Sequence, residues 1–170
     1  MERIACFAAL VLLGTPAFAA EEYAIGKAKT VQHLTLVPHY LTGIAMSPMP
    51  EGASMDKDAV HLEIDVHAAS GEPHGFAKGE WIPYLTVNYY ITKEGSDFHA
   101  NGTLAPMTAG DGPHYANNVA LSGPGSYTVT YHIEPPPKAG FARHTDKATG
   151  VPDWWNGFDA AWTFAYPVKK

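Results

Sequence analysis

From about Val31 onward, hydrophobic residues recur at every second position rather than every third or fourth. Val60-His61-Leu62-Glu63-Ile64-Asp65-Val66-His67-Ala68 alternates without a break. Leu85, Val87, Tyr89 and Ile91 mark one face of a second run, and Tyr127, Val129, Tyr131 and Ile133 one face of a third. Phe158, Trp162, Phe164 and Tyr166 mark the last. Successive side chains of a strand point to opposite faces, so each run can bury one face and wet the other. Turn formers separate the runs: Gly71-Glu72-Pro73, Lys93-Glu94-Gly95, Asp111-Gly112-Pro113, Ser122-Gly123-Pro124-Gly125 and Pro135-Pro136-Pro137. No amphipathic helical stretch of useful length interrupts them. Short strands patterned on one side and joined by this many turns predict two packed antiparallel sheets. The expected fold is all-β: an immunoglobulin-like antiparallel β-sandwich of seven to nine strands in a single domain. Gly140 to Gly157 is long and irregular, as functional or partner-contacting loops are.

The start of the chain departs from this pattern. Met1-Glu2-Arg3 precedes an apolar run from Ile4 to Leu13, and Ala17-Phe18-Ala19 then supplies a small-x-small cleavage site. The run falls short of the roughly 20 apolar residues that a membrane-spanning helix needs. A cleavable signal peptide over residues 1–19 is therefore expected, followed by a β-sandwich domain over 20–170, exported to the periplasm without membrane insertion. The single cysteine, Cys6, falls in the leader, so the exported domain has no thiol for a disulfide or for thiolate ligation. A composition of 46% hydrophobic and 16% charged residues is that of a globular protein. The net charge of −6 leaves no electrostatic footprint for nucleic acid.

Nine histidines remain to be placed. The polar face of the first run is His61, Glu63, Asp65 and His67, all residue types that ligate metals. Alternate residues stand roughly 6.5–7 Å apart on one face, so His61 and Glu63 can lean onto a shared ion. The same four side chains also fit an ordinary solvated face. In Pro106-Met107-Thr108-Ala109-Gly110-Asp111-Gly112-Pro113-His114, a thioether precedes a tight turn and an imidazole follows it. That pair suits copper better than zinc or calcium, because thioether sulfur is soft and imidazole intermediate. Met107 packed in the core is the competing explanation. Arg143-His144-Thr145-Asp146 puts a further histidine in the long loop, where a plain surface role also fits. His132, alternating with Glu134, reads as a group hydrogen-bonded to a carboxylate. His33, His39, His74 and His99 fall in loops or near strand ends and carry no spacing signal.

Together these pieces are more specific. Val60 to Ala68, Gly79-Glu80-Trp81-Ile82-Pro83-Tyr84-Leu85-Thr86, Asp111-Gly112-Pro113-His114-Tyr115, Tyr131-His132-Ile133-Glu134-Pro135-Pro136, and Arg143-His144-Thr145-Asp146-Lys147 through to Trp154-Trp155 follow in that order. This series resembles the family of periplasmic copper-binding proteins that serve high-affinity iron uptake beside an iron permease, over roughly Tyr40 to Tyr166. The resemblance implies an immunoglobulin-like sandwich that forms a homodimer, with copper on His61, Met107, His114 and His144 and with Glu63 as a variable additional ligand. It implies that one ligand, His144 on its long loop, reaches across from the other subunit. It also implies iron ions as a second metal and an inner-membrane iron permease as partner. Two positions depart from the family pattern. Ala45-Met46-Ser47 stands where acidic residues commonly flank a methionine, which removes candidate oxygen ligands for a second ion. Ala105 stands where a methionine is common, leaving Met107 as the single thioether of its loop.

Two other functions compete. A small copper oxidase acting on ferrous iron is one, although no nucleophile–base pattern and no mature N-terminal histidine support it. A sandwich binding module with incidental histidines is the other, since this scaffold hosts many unrelated functions.

Overall fold

The structure is a computed structural model, and it describes residues 21–167. The expected signal peptide lies outside the described residues. Nine strands follow in order: β1 (Tyr23–Ala24), β2 (Lys29–Val31), β3 (Leu34–Thr42), β4 (Val60–Ala68), β5 (Thr86–Lys93), β6 (His99–Ala109), β7 (Gly112–Val119), β8 (Gly125–Glu134) and β9 (Phe158–Tyr166). The only helical element among the described residues is a single 3₁₀ turn, Pro136–Ala139, after the Pro-rich stretch.

All strand pairs are antiparallel, in the order β1-β3-β4-β7-β6-β5-β8-β9, with β2 also on β3. The long strand β6 belongs to both halves. Its first part pairs with β5 as far as Leu104, and its last part, from Ala105 to Ala109, pairs with β7. A strand that changes partners in this way turns the corner between two packed sheets. The expected β-sandwich is what forms.

The alternating runs supply the core as the pattern predicts. Val60, Leu62, Ile64 and Val66 of β4 are fully buried, as are Val87 and Ile91 of β5 and Tyr127, Val129, Tyr131 and Ile133 of β8. Tyr89 is buried whereas its neighbour Tyr90 is half exposed, as opposite faces of one strand require. Buried tyrosines need partners for their hydroxyls. Tyr115 donates to the Ile82 carbonyl at 2.8 Å and accepts from the Leu85 amide at 3.0 Å. Tyr131, on the far sheet, donates to the Glu63 carbonyl at 3.2 Å and so braces β4 from behind.

The segment between the 3₁₀ turn and β9 is irregular, as expected, but it is built. Asp146 accepts the amides of Ala148 and Thr149 at 2.9 and 3.0 Å. The Gly150 amide reaches the Asp146 carbonyl at 2.9 Å, and the Val151 amide reaches the His144 carbonyl at 3.1 Å. A Cβ on residue 150 would lie 2.4 Å from that Asp146 oxygen, so the turn requires glycine. Further on, Trp154 stacks on His74 with centroids 4.1 Å apart and planes 5° from parallel. His74 Nδ1 meets Glu72 Oε1 at 2.5 Å, and Trp155 packs against the core. The tryptophan pair thus fastens the segment to the sandwich.

Candidate metal centre

Register does most of the assembly. β4 lies between β3 and β7, with His39 opposite Glu63 on one side, and with Asn118 opposite His61 and Ala116 opposite Glu63 on the other. The β6–β7 hairpin sets Met107 directly opposite His114. Cross-strand partners share a face, so His39, His61, Glu63, Met107, His114 and Asn118 all point to the same side of this sheet, away from the core. That face is not the solvated one that the competing explanation required. His61, Glu63 and His114 are 2%, 7% and 5% exposed, while Asp65 and His67, further along β4, are partly open. The connection between β3 and β4 covers the first group. Its residues Ile44, Ala45, Met46, Ser47, Pro48 and Pro50 wall a cavity of about 550 Å³ that His61, Glu63, Met107 and His114 also line.

Within the cavity, the ligating atoms of His61, Glu63 and His114 all lie within 4.8 Å of one another. His61 Nε2 is 3.8 Å from Glu63 Oε2, and His114 Nε2 is 3.6 Å from the same oxygen. The two rings stand perpendicular, with centroids 5.9 Å apart. These distances exceed hydrogen bonds, and His114 Nε2 is buried with no hydrogen-bond partner. A polar nitrogen left so costs roughly 1–3 kcal/mol. His61 is oriented by Asn118, whose Oδ1 meets Nδ1 at 2.9 Å and leaves Nε2 to face the cavity. A ring nitrogen held from behind by an amide or carboxylate is the usual arrangement of a metal-ligating histidine.

Burial sets the charge states. It is the largest influence on all three groups, raising the Glu63 carboxyl to about 8, with Asp65, Glu22 and Asp111 adding repulsion. It lowers His61, against the hydrogen bond that its Nδ1–H donates to Asn118 Oδ1, and it lowers His114, against the attraction of Asp65 and Asp111. Near neutral pH the group therefore consists of two neutral imidazoles and a protonated carboxyl. Neutral imidazole is the ligating form, and a bound cation would displace the Glu63 proton.

His144 stands apart. It sits on the 144–151 turn with Nδ1 2.8 Å from Thr149 Oγ1, its side chain is 75% exposed, and it does not line the cavity. Within one chain the structure therefore brings His61, Glu63, Met107 and His114 to one cavity and leaves His144 facing outward. His132 lies between two carboxylates as its sequence neighbours indicate, with Nδ1 2.6 Å from Asp159 and Nε2 3.3 Å from Glu134. His39 corrects the reading that it carries no signal. It lies within β3, 2.6 Å from Glu22 Oε1 and 3.8 Å from Asp65 Oδ2, and it forms a second cluster with Glu22 and Glu63. Pro38 beside it hides the strand's alternation.

Known proteins share this architecture. A UPF0423 protein of Brucella abortus (strain 2308) is 39% identical over 150 residues, covering 86% of this chain and 82% of that protein. The copper-bound structure of a variant of FetP from uropathogenic Escherichia coli strain F11 superposes with a TM-score of 0.83 at 46% identity, covering 86% of this chain and 98% of that one. FetP has also been crystallised as isolated after recombinant expression in the periplasm. Copper-reconstituted P19 of Campylobacter jejuni superposes with a TM-score of 0.82 at 37% identity, covering 86% and 97%. The pattern that defines the Fe2+ transport proteins matches residues 19–167, and the chain belongs to that iron transport family.

Proposed function

We propose that the protein is a periplasmic copper-binding component of high-affinity iron acquisition, one that receives iron or assists its delivery to an inner-membrane permease. The observation that carries this reading is the convergence of His61, Glu63 and His114 within 4.8 Å, with an unpartnered Nε2 on His114 and the Met107 thioether in the same cavity. The donor set fits copper. Two neutral imidazoles satisfy either oxidation state, the thioether favours Cu(I), and the carboxylate favours Cu(II). Copper bound there would supply a one-electron centre beside the iron cargo. The copper-bound neighbours FetP and P19 support the choice of metal, family membership supports the link to iron, and periplasmic FetP supports the compartment. The more exposed cluster of Glu22, His39 and Glu63 offers the hard oxygen donors that iron prefers. His144 completes the copper site from the second subunit of a homodimer. Its outward position on a hydrogen-bonded turn favours that role over one within its own chain.

Copper titration of tag-free, metal-free protein tests the reading. One copper per chain is expected, with uptake abolished in the His61→Ala, His114→Ala double variant, and unchanged uptake in that variant overturns the assignment. Mixed dimers test His144. A His144→Ala subunit paired with a His61→Ala, His114→Ala subunit should regain one intact site, and failure to regain it removes His144 as a ligand from the partner.

A further inference from the structure

The turn that carries His144 orients the imidazole as well as the backbone. Thr149 Oγ1 donates its only proton to Asp146 Oδ2 at 2.7 Å. The same oxygen lies 2.8 Å from His144 Nδ1 and, with its proton committed, can only accept there. Nδ1 is therefore the protonated nitrogen of the neutral ring, and the lone pair is left on Nε2. Asp146 is itself held, because its Oδ1 accepts the amides of Ala148 and Thr149. A carboxylate behind a hydroxyl behind an imidazole fixes both the tautomer and the direction of the ring. The side chain of His144 is 75% exposed, so packing does not impose this orientation, and holding the ring costs it rotamer freedom.

The turn also stands on a buried footing. Arg143 donates from Nη1 to the Val151 carbonyl at 2.8 Å and pairs through Nη2 with Asp153, while the Val151 amide closes on the His144 carbonyl. His74 Nε2 meets the Asp153 carbonyl at 3.2 Å, and Nδ1 of the same ring meets Glu72, whose side chain is 1% exposed. Polar contacts thus run from a buried carboxylate of the sandwich to the base of an outward imidazole, which is the support a preorganised ligand needs.

We propose that Thr149 and Asp146 are positioning residues of the copper site, presenting His144 to the cavity of the second subunit with Nε2 as its ligating atom. The inference rests on the reading of His144 as a ligand from that subunit and deepens it. The cavity treats His61 in the same way, with Nδ1 held by Asn118 and Nε2 left to face the ion. Both rings would then offer the same nitrogen, each secured from behind.

The one-site mixed dimer tests this, because only one of its subunits donates His144. Thr149→Val keeps the shape of this exposed side chain and removes the hydroxyl. Placed in the His144-donating subunit, it should lower Cu(II) affinity about tenfold, the lower end of what outer partners of metal ligands contribute, and alter the Cu(II) electron paramagnetic resonance spectrum. Placed in the subunit that supplies His61 and His114, it should change neither. Thr149→Ser in the donating subunit should restore both. An equal loss from either subunit, no loss from the donating one, or no rescue by serine overturns the proposal. In metal-free protein, ¹⁵N NMR of the neutral His144 ring should find its proton on Nδ1, and a proton on Nε2 overturns the proposal without reference to copper. A one-site dimer that binds copper through His144 but ignores Thr149→Val defeats this inference alone. One that fails to bind before Thr149 is changed defeats the reading of His144 and this inference with it.

Discussion

Glu63 is the residue whose removal should strengthen the metal-free protein while weakening its function. Its carboxyl is nearly fully enclosed, and burial raises its pKa from an ordinary 4.5 to about 8. The folded pKa lies above the unfolded one. The group's contribution to stability is therefore complete below about 4.5 and is lost progressively as pH rises through about 8. A displacement of this size is worth about 1.4 kcal/mol per pH unit, so the loss between pH 5 and pH 8 comes to roughly 3–4 kcal/mol. Glu63→Gln removes the ionisation and keeps the shape. Urea unfolding of metal-free wild type and Glu63→Gln across pH 5 to 8.5 measures the difference. His61 and His114 are present in both proteins, so their own pH dependence cancels between the two curves. The curves should run together near pH 5 and diverge upward, with Glu63→Gln the more stable by several kcal/mol at pH 8. Copper should reverse the order, because a cation beside Glu63 stabilises the ionised form that burial penalises. Parallel curves from pH 5 to 8.5 would refute the reasoning, since they would mean that Glu63 ionises in the folded protein at no cost.

Two further perturbations address other parts of the molecule. In metal-free protein, NMR titration should place His61 and His114 below 6.5, because burial opposes their protonation, and His132 above it, because Asp159 and Glu134 stabilise its charge. By linkage, the two buried histidines add stability above pH 6.5 that is lost on acidification, and His132 adds stability at low pH that is lost as pH rises. Titration of His61 at or above 6.5 would contradict the burial argument. Gly150→Ala places a methyl group 2.4 Å from the Asp146 carbonyl and forces the 144–151 turn to open. A destabilisation of about 1–3 kcal/mol is expected from such overpacking, along with an altered Cu(II) spectrum wherever His144 is a ligand. An unchanged spectrum would separate His144 from the metal.

How much of the fold and the site is legible in the amino-acid sequence depends on the range of the interaction. β4 is readable residue by residue, because a two-residue period states both which side chains go inward and which go outward. The pairing of Met107 with His114 follows from the tight turn between them, which leaves little freedom of register. Periodicity cannot report what covers the outward face. His61 and Glu63 are buried because the loop that precedes their strand folds back over them, held there by Asn117 and Asn118 on a third strand. His39 escapes notice for a related reason. Pro38 interrupts the pattern of β3, and the value of His39 lies in its register against Glu63, which only the assembled sheet fixes. The Glu72–His74–Trp154 contact spans eighty residues and leaves no periodic trace. His144 is a different case. Its residue type and loop are visible in the sequence, but the chain leaves it facing outward, so only the proposed pairing with a second chain would give it a ligand role.

The place of the cavity in the fold follows from the path of β6. Up to Leu104 that strand pairs with β5 and contributes to the core; from Ala105 it pairs with β7 and extends the other sheet. Beyond the switch, the outward faces of β4, β7 and the end of β6 lie side by side on the surface turned away from the opposite sheet. A surface of that kind needs only a loop above it to become an enclosed space, and the β3–β4 connection provides the loop. The two components answer to different constraints. The strands supply His61, Glu63, Met107 and His114 at positions fixed by hydrogen-bonded register, with Tyr131 bracing Glu63 from across the core. The loop supplies Ala45, Met46 and Ser47 at positions that no ladder constrains, so its chemistry can change without disturbing the sheet. On the copper reading proposed above, the identity of residues 45–47 is then the natural place to tune which ion the cavity would retain.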